Sequence, residues 1–120
     1  MNALNWFEIP VSNIDRAQKF YQGLLGQDLK RENFGGQAHA VFPAKEPGVA
    51  GALVEMKDRK PAGEGTLVYL NVEGRLDGCL TRVAGSGGTV VVPKTSIAPH
   101  GFFAHVRNSE GNVIGLHSMT

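Results

Sequence analysis

The chain has 120 residues, of which 42% are hydrophobic and 19% are charged, and a single domain of this size buries an ordinary hydrophobic core. Twelve Lys and Arg residues against eleven Asp and Glu leave a formal net charge of +1, whereas nucleic-acid-binding domains normally carry a strong basic excess. No apolar run approaches the roughly 18 residues of a membrane span, and residues 1–5 lack the features of a signal peptide. We therefore expect a cytoplasmic protein with no nucleic-acid or membrane partner.

The N-terminal segment predicts a strand followed by a helix. Residues 4–11 are rich in aromatic and β-branched side chains, as is typical of strands, and Ser12 or Asn13 then supplies an N-cap. Gly26 follows the last apolar position and suits the left-handed residue that ends many helices. Between these signals apolar residues recur at helical spacing: Ile14, Ala17, Phe20, Tyr21, Leu24 and Leu25.

Three more strands are expected in the first half of the chain. They lie around Asp28–Asn33, His39–Pro43 and Gly51–Met56, and turns with Gly or Pro, including one at 46–48, separate them. The segment 59–65 is polar, contains Pro and Gly and has no periodicity, so we interpret it as a linker.

The same order of elements begins again after this linker. A strand at Thr66–Val72 precedes a helix that contains the only cysteine, Cys79, whose thiol we expect to be buried and inert. A further strand at Thr89–Val92 is expected to end at Pro93. The last two strands form a hairpin, Phe102–Arg107 and Val113–Ser118.

The repeated order predicts an α+β fold in which two tandem βαβββ modules form a curved, mixed-sheet cup. A single domain would span residues 1–120, with module one at about 1–58, the linker at about 59–65 and module two at about 66–120. Two halves supply eight strands, which is enough for such a sheet to curve.

Individual residues match between the two halves as well. Val11 at the first strand–helix junction corresponds to Val72 at the second, and the strand segment that begins at Gly51 corresponds to the one that begins at Gly115. The alternative is a pair of unrelated α+β motifs.

The residues that carry this pattern resemble a known family. Residues 6–21, followed by Leu24-Leu25-Gly26, resemble the opening of the vicinal oxygen chelate superfamily, and residues 66–72 resemble the opening of its second module. The turn at 109–112 is similar to the family's usual turn before the last strand. This superfamily includes glyoxalase I, bleomycin-resistance proteins and extradiol dioxygenases, and the resemblance implies a homodimer with a ligand site inside each cup.

The family's metalloenzymes bind a divalent ion through four inward-facing strand positions. On this chain those positions fall on Trp6, at or next to Gly51, near Leu67 and on Gly115. Such ions need imidazole, carboxylate or thiolate donors, which none of these side chains provides. Moving a ligand position by one residue along the strand would place it on the other face of the sheet. We therefore expect no metal ion and no other cofactor.

Polar side chains remain close to the positions of the missing ligands. Side chains two residues apart in a strand share a face, so Glu8 faces the cup together with Trp6, and the same alternation places Tyr69 and His117 there. Glu8 and His117 suit the roles of catalytic base and acid near neutral pH. The alternative is that they only hydrogen-bond each other, or water, at the rim of the cup.

An aromatic wall is expected beside these polar groups. A four-residue turn in the last hairpin would pair Phe102 with His117 and turn His105 to the other face. Phe102 would then join Trp6 and Tyr69 as ligand-binding residues, because small-molecule pockets are lined mainly by hydrophobic and aromatic side chains. The alternative for Trp6 is that it fills the space of the missing metal ion.

Three functions follow as hypotheses. The favoured one is a glyoxalase-related protein that lacks the usual metal ligands and binds a small, partly aromatic molecule in its cup. The second is a metal-independent lyase, isomerase or hydrolase that uses Glu8 and His117 as acid and base. The third is a subunit whose role is association alone. The sequence identifies neither the ligand nor the roles of His39, His100 and His105.

Overall fold

The structure, a computed structural model, describes residues 6–45 and 48–120. Residues 4 and 5 of the first predicted strand and residues 46 and 47 of a predicted turn lie outside the described residues. The helices and strands are, in chain order, β1 (Trp6–Val11), α1 (Ile14–Leu25), β2 (Lys30–Phe34), β3 (Gln37–Val41), β4 (Ala50–Glu55), β5 (Tyr69–Asn71), α2 (Leu76–Arg82), a short 3₁₀ helix (Ala84–Ser86), β6 (Thr89–Ser96), β7 (Phe102–Arg107) and β8 (Val113–Ser118).

Each half of the chain folds into a four-stranded sheet with the same strand order. The two sheets run β1-β4-β3-β2 and β5-β8-β7-β6. In each sheet the first and last strands of the half pair in parallel, and the other neighbours are antiparallel. The predicted α+β fold with two tandem βαβββ modules and mixed sheets is therefore confirmed.

Helix α1 begins and ends at its predicted capping residues. The Asn13 side chain accepts a hydrogen bond from the backbone N–H of Arg16 (3.0 Å), and Gly26 adopts a left-handed φ of 67° at the C-terminal end. All six apolar residues of the predicted stripe are buried. None of the helices that the structure describes is long and apolar enough to cross a membrane.

One hydrophobic core joins the two halves. It lies between the helices and the sheet faces that they cover, and it extends over both halves of the chain. Tyr21 of α1 is fully buried in this core, where its hydroxyl accepts a hydrogen bond from the Asn108 side chain (2.7 Å). This burial raises the pKa of Tyr21. Cys79 is also buried, as expected, and burial raises the pKa of its thiol.

Two arginines from the second half cap the C-terminus of α1, whose last turn contains no basic residue. Arg75 Nη1 donates to the carbonyl oxygen of Leu25 (2.7 Å), and Arg82 Nη2 donates to that of Leu24 (3.0 Å). The last carbonyls of a helix lack partners within the helix and carry partial negative charge. These contacts therefore stabilise α1 and hold it against the second half.

In the second half of the chain, two strands differ in their bounds from the prediction. Strand β6 continues through Pro93 to Ser96. It is an edge strand, and its register against β7 shifts between Val92 and Thr95. Edge strands and bulges are the places where a sheet tolerates proline, so Pro93 does not end the strand. The strand predicted at Thr66–Val72 is confined to the three residues of β5.

The last strands of the two halves, β4 and β8, match each other with a shift of one residue from the predicted alignment of Gly51 with Gly115. Gly51 pairs with Phe7 on the helix side of its sheet, and a Cβ atom at Gly51 would overlap the Phe7 ring. Gly115 pairs with Tyr69 and lies on the opposite side of its own sheet. Ala52 is therefore the first-half residue that corresponds to Gly115, and the predicted match of the two glycines is wrong.

Candidate functional site

We call the side of each sheet that faces away from the helices its helix-free face. In β1, Ile9 and Val11 belong to the buried core, so the alternate residues Trp6, Glu8 and Pro10 lie on the helix-free face. This is the side that the alternation predicts for Trp6 and Glu8. Trp6 is 40% exposed.

In the second sheet the helix-free face is identified in the same way. Leu116 belongs to the core, so its neighbours Gly115 and His117 lie on the helix-free face of β8. Tyr69 pairs with Gly115 and therefore lies on this face too. The sequence places Tyr69 and His117 on this side, as the structure does.

Glu8 contacts a histidine whose position the sequence leaves open. Glu8 Oε2 accepts a hydrogen bond from Trp6 Nε1 (3.3 Å) and lies 3.8 Å from Nε2 of His39. His39 Nδ1 lies 3.0 Å from the carbonyl oxygen of Gln37. Because a carbonyl only accepts, Nδ1 carries a proton, and Nε2 faces the Glu8 carboxylate.

An aromatic side chain packs against the His39 ring of this pair. The ring of Phe34 meets the ring of His39 edge-on, with centroids 4.9 Å apart. His39 is 5% exposed, whereas Phe34 is 48% exposed. The first helix-free face thus brings together the Glu8 carboxylate, the nearly buried imidazole of His39 and the exposed rings of Trp6 and Phe34.

The second helix-free face carries a cluster of Tyr69, His105 and Phe103. The Tyr69 hydroxyl lies 2.8 Å from His105 Nε2, at hydrogen-bond distance. The Phe103 ring centroid lies 5.1 Å from that of His105 and 6.5 Å from that of Tyr69. Tyr69 and His105 are both paired with Gly115, where a Cβ atom would overlap the Tyr69 ring. The absence of a side chain at Gly115 therefore allows the tyrosine and the histidine to meet.

His117 is bonded to a different part of the fold from Glu8. Its Nε2 lies 2.7 Å from the carbonyl oxygen of His100, in the loop between β6 and β7. Nε2 therefore carries a proton and donates it. Glu8 lies in the first sheet and contacts Trp6 and His39, whereas His117 lies in the second sheet. The histidine beside Glu8 is His39.

A cleft of about 700 Å³ opens where β1 approaches β5 and β8. Glu8 and Tyr69 both line it, so two of the three polar residues predicted for the cup share one cavity. Arg59 and Lys60, from the segment between β4 and β5, also line it and bring positive charge near Glu8. His117 lies outside the described residues that line this cleft.

A second cleft, of about 310 Å³, shares Leu67 with the first. It is also lined by His105, Arg107 and Val91. Leu67, which is 37% exposed, therefore lies between the cleft that holds Glu8 and the cleft that holds His105.

The predicted orientation of Phe102 is wrong. The hairpin loop holds five residues, 108–112, closed by a hydrogen bond from Asn108 N–H to the Asn112 carbonyl oxygen (2.9 Å). Strand β7 is therefore displaced by one residue from the predicted register, and Phe103 pairs with His117. Phe102 faces the helix side, where the Lys94 ammonium lies 4.7 Å from its ring centroid.

The displaced register also turns His105 onto the helix-free face, opposite to the prediction. One signal for the longer loop was present in the sequence. Asn108 Oδ1 accepts hydrogen bonds from the N–H groups of Glu110 (2.9 Å) and Asn112 (3.0 Å), the side-chain-to-backbone pattern that asparagine favours in turns.

The residues at the family's metal-binding positions do not fit a divalent ion. Trp6, Leu67 and Gly115 provide no donor, and Ala52, the helix-free neighbour of Gly51, provides none either. In residues 6–45 and 48–120, no group of three or more His, Cys, Asp or Glu side chains is placed to hold a metal ion.

Known proteins share this fold over nearly the whole chain. A solved structure of TnmS3, an antibiotic binding protein from Streptomyces sp. CB03234, is 26% identical, with 100% of this chain and 98% of that chain covered and a TM-score of 0.71. A glyoxalase/bleomycin resistance protein from the same organism is 27% identical, with 93% and 96% covered and a TM-score of 0.71.

A more distant relative shows the same fold. A glyoxalase/bleomycin resistance protein from Albidiferax ferrireducens T118 is 14% identical, with 98% of each chain covered and a TM-score of 0.74. No curated protein matches the chain. The model of the Glyoxalase/Bleomycin resistance protein/Dioxygenase superfamily matches residues 3–116. The chain therefore belongs to this superfamily, as the sequence resemblance predicts.

Proposed function

We propose that the chain binds a small, partly aromatic molecule on its helix-free faces without using a metal ion. The observation that carries this proposal is the shared cleft of about 700 Å³, which brings Glu8 of the first sheet and Tyr69 of the second to one cavity. Small-molecule sites are typically clefts of about 300–1,000 Å³ with apolar walls and a few polar groups.

The proposed ligand contacts divide between stacking and hydrogen bonding. Tyr69 and Phe103 supply ring faces and edges, which contribute about 0.5–1.5 kcal/mol per aromatic pair beyond the area they bury. Glu8 and the Tyr69–His105 pair supply polar contacts that orient the ligand. Trp6 extends the aromatic surface on the first sheet.

The comparison with TnmS3 supports the same class of function. That protein is an antibiotic binding protein, and its chain aligns with this one over its full length at 26% identity. We therefore propose an antibiotic with an aromatic ring system as the first ligand to test.

A second candidate function is a metal-independent lyase, isomerase or hydrolase in which Glu8 acts as the base and His39, in place of the predicted His117, acts as the acid. The contact that favours acid–base chemistry is the one between Glu8 Oε2 and His39 Nε2 at 3.8 Å, because carboxylates and imidazoles are common catalytic bases and acids. In an isomerisation, Glu8 would take a proton from one substrate carbon and the His39 imidazolium would return one to another, and a proton passed from Glu8 to His39 would restore both groups. His39 is the histidine placed beside Glu8, whereas the Nε2 of His117 is bonded to the carbonyl oxygen of His100.

We also propose that the chain forms a homodimer. Three aromatic residues of the helix-free faces are 40% to 48% exposed: Trp6, Phe34 and Tyr69. A second copy that packs against these faces would remove their rings from water and close the cup. Light scattering on the purified protein would give twice the mass of one chain, and a monomer at all concentrations would contradict this part of the proposal.

Fluorescence of Trp6, the chain's only tryptophan, tests the binding function directly. A panel of aromatic antibiotics and metabolites is titrated into the protein in excess EDTA. We expect saturable quenching by at least one compound. Turnover of that compound, lost in Glu8→Gln, would favour the enzyme instead, and the absence of quenching by every compound would favour a role in association alone.

A further inference from the structure

A third cavity lies between the ends of the two helices, and Tyr69 is the residue of the helix-free clusters that reaches it. This cleft, of about 530 Å³, opens between the C-terminal end of α1 and the start of α2 and is bounded by β1 and β5. We call it the interhelical cleft. Its apolar wall includes Phe7, Phe42, Val49 and Val68.

The polar groups of the interhelical cleft are all able to donate hydrogen bonds. They are the side chains of Gln27, Tyr69, Asn71 and Arg75. The Asn71 side-chain oxygen already accepts from the N–H of Glu73 (3.0 Å), which leaves its NH₂ group to donate. No Asp or Glu is present among the described residues that line the cleft.

Arg75 gives the cleft a positive charge, and no carboxylate of the described residues forms an ion pair with it. Its Nη1 donates to the Leu25 carbonyl oxygen (2.7 Å), which engages one of the five N–H donors of the guanidinium. Within the described part of the chain, the ion pairs join other residues. A guanidinium beside an apolar wall is well suited to a carboxylate, which it binds through two parallel hydrogen bonds.

We propose that the interhelical cleft binds a small carboxylic acid with an apolar, aromatic-sized body. The body lies against the wall of Phe7, Phe42 and Val49, and the carboxylate accepts hydrogen bonds from Arg75 at the rim. The site uses neither Glu8 nor His105, so it is independent of the function proposed for the helix-free faces. Phe7 and Tyr69 are the aromatic residues that line both cavities.

The rival explanation for Arg75 is that it only caps α1, and Arg82 provides a matched control for that role. Arg82 donates to the carbonyl oxygens of Gly23 and Leu24 and lies outside the residues that line the cleft. Replacing either arginine by glutamine removes a cap contact. Only the replacement of Arg75 removes the charge of the cleft.

The test uses 2-naphthoate and its neutral analogue 2-naphthamide as probes, with affinities from calorimetry and positions from backbone amide NMR shifts. We expect saturable naphthoate binding that perturbs Val49 and Phe42. Arg75→Gln is expected to weaken naphthoate binding about tenfold and to leave naphthamide unchanged, because a hydrogen bond to a charged group contributes on this scale. Arg82→Gln should change neither affinity, and Val49→Trp should abolish both by filling the cleft.

Three results would overturn the proposal. Equal losses in the two arginine variants would assign Arg75 to capping alone. Naphthoate shifts centred on Glu8 and His105, and insensitive to Arg75→Gln, would place the probe on the helix-free faces instead. The absence of saturable naphthoate binding to the wild-type protein would remove the site altogether, while leaving the function of the helix-free faces standing.

Discussion

The hydroxyl of Tyr69 lies 2.8 Å from Nε2 of His105, across a glycine that pairs with both residues. The two side chains come from strands that are not adjacent, β5 and β7, with β8 between them. Their contact therefore depends on the empty space above Gly115. This relationship gives the second helix-free face its polar centre and leads to a direct prediction.

Gly115→Ala is expected to displace the Tyr69 ring, because the added Cβ atom would overlap it. Overpacking of this kind typically costs about 1–3 kcal/mol. We expect a lower free energy of unfolding in urea and weaker binding of any ligand found by Trp6 fluorescence. Gly85→Ala is the matched control, since nothing lies within 4 Å of a Cβ atom there. Wild-type ligand affinity in Gly115→Ala would contradict a binding role for Tyr69.

Glu110 connects the β7–β8 loop to the start of α1. Its Oε1 accepts hydrogen bonds from the backbone N–H groups of Ser12 (2.9 Å) and Asn13 (3.0 Å), and its Oε2 accepts one from Arg16 Nε (2.6 Å). Partial burial acts to raise the pKa of Glu110, but the hydrogen bonds from Arg16, Asn13 and Ser12 outweigh it and lower the pKa to about 2. The carboxylate thus stabilises the contact between the two halves.

Glu110→Gln should lower the free energy of unfolding by about 1–3 kcal/mol at neutral pH, because a charged acceptor is lost. The pKa is lowered from 4.5 in the unfolded chain to about 2 in the folded one, so the stabilisation is complete above pH 4.5 and is lost as the pH falls towards 2. Urea unfolding at several pH values would show the gap between variant and wild type closing over this range. A difference in unfolding free energy that stays constant down to pH 2 would contradict the stabilising role of the Glu110 carboxylate. Glu64→Gln, at an exposed residue, is the control.

Tyr21→Phe should destabilise the protein by about 1–3 kcal/mol, because it leaves the buried Asn108 amide without its acceptor. Tyr69→Phe is the matched control, since the Tyr69 side chain is 48% exposed and water replaces its partner. Its effect on the free energy of unfolding should stay within about 0.5 kcal/mol. Equal effects of the two substitutions in urea unfolding would mean that the Tyr21 hydroxyl does not stabilise the core.

Strand alternation was sufficient to orient several candidate residues from the sequence. Trp6 and Glu8 share a face because side chains two residues apart in a strand do so, whatever the strand pairs with. The same argument orients Tyr69 and His117. Alternation needs only the strand itself to be recognised, and the aromatic and β-branched residues identify these strands well.

Contacts between side chains of different strands could not be predicted from the sequence, because they depend on the register in which the strands pair. A single extra loop residue turned Phe102 towards the helices and brought Phe103 and His105 to the helix-free face. The contact between Glu8 and His39 likewise depends on the pairing of β1, β4 and β3, which no pattern within one strand reveals. The alternation within a strand determines on which face of the sheet each side chain lies. The geometry of the turns determines which side chains of neighbouring strands contact each other.

The most direct test of the proposed function compares two adjacent phenylalanines on opposite faces of β7. Calorimetry in excess EDTA would measure the affinity of the best ligand from the fluorescence panel for wild type, Phe103→Ala and Phe102→Ala. We expect metal-free binding whose affinity falls about tenfold or more in Phe103→Ala, which corresponds to a loss of roughly 1.4 kcal/mol, and stays unchanged in Phe102→Ala. Binding that requires an added metal ion, or that is lost only in Phe102→Ala, would contradict it.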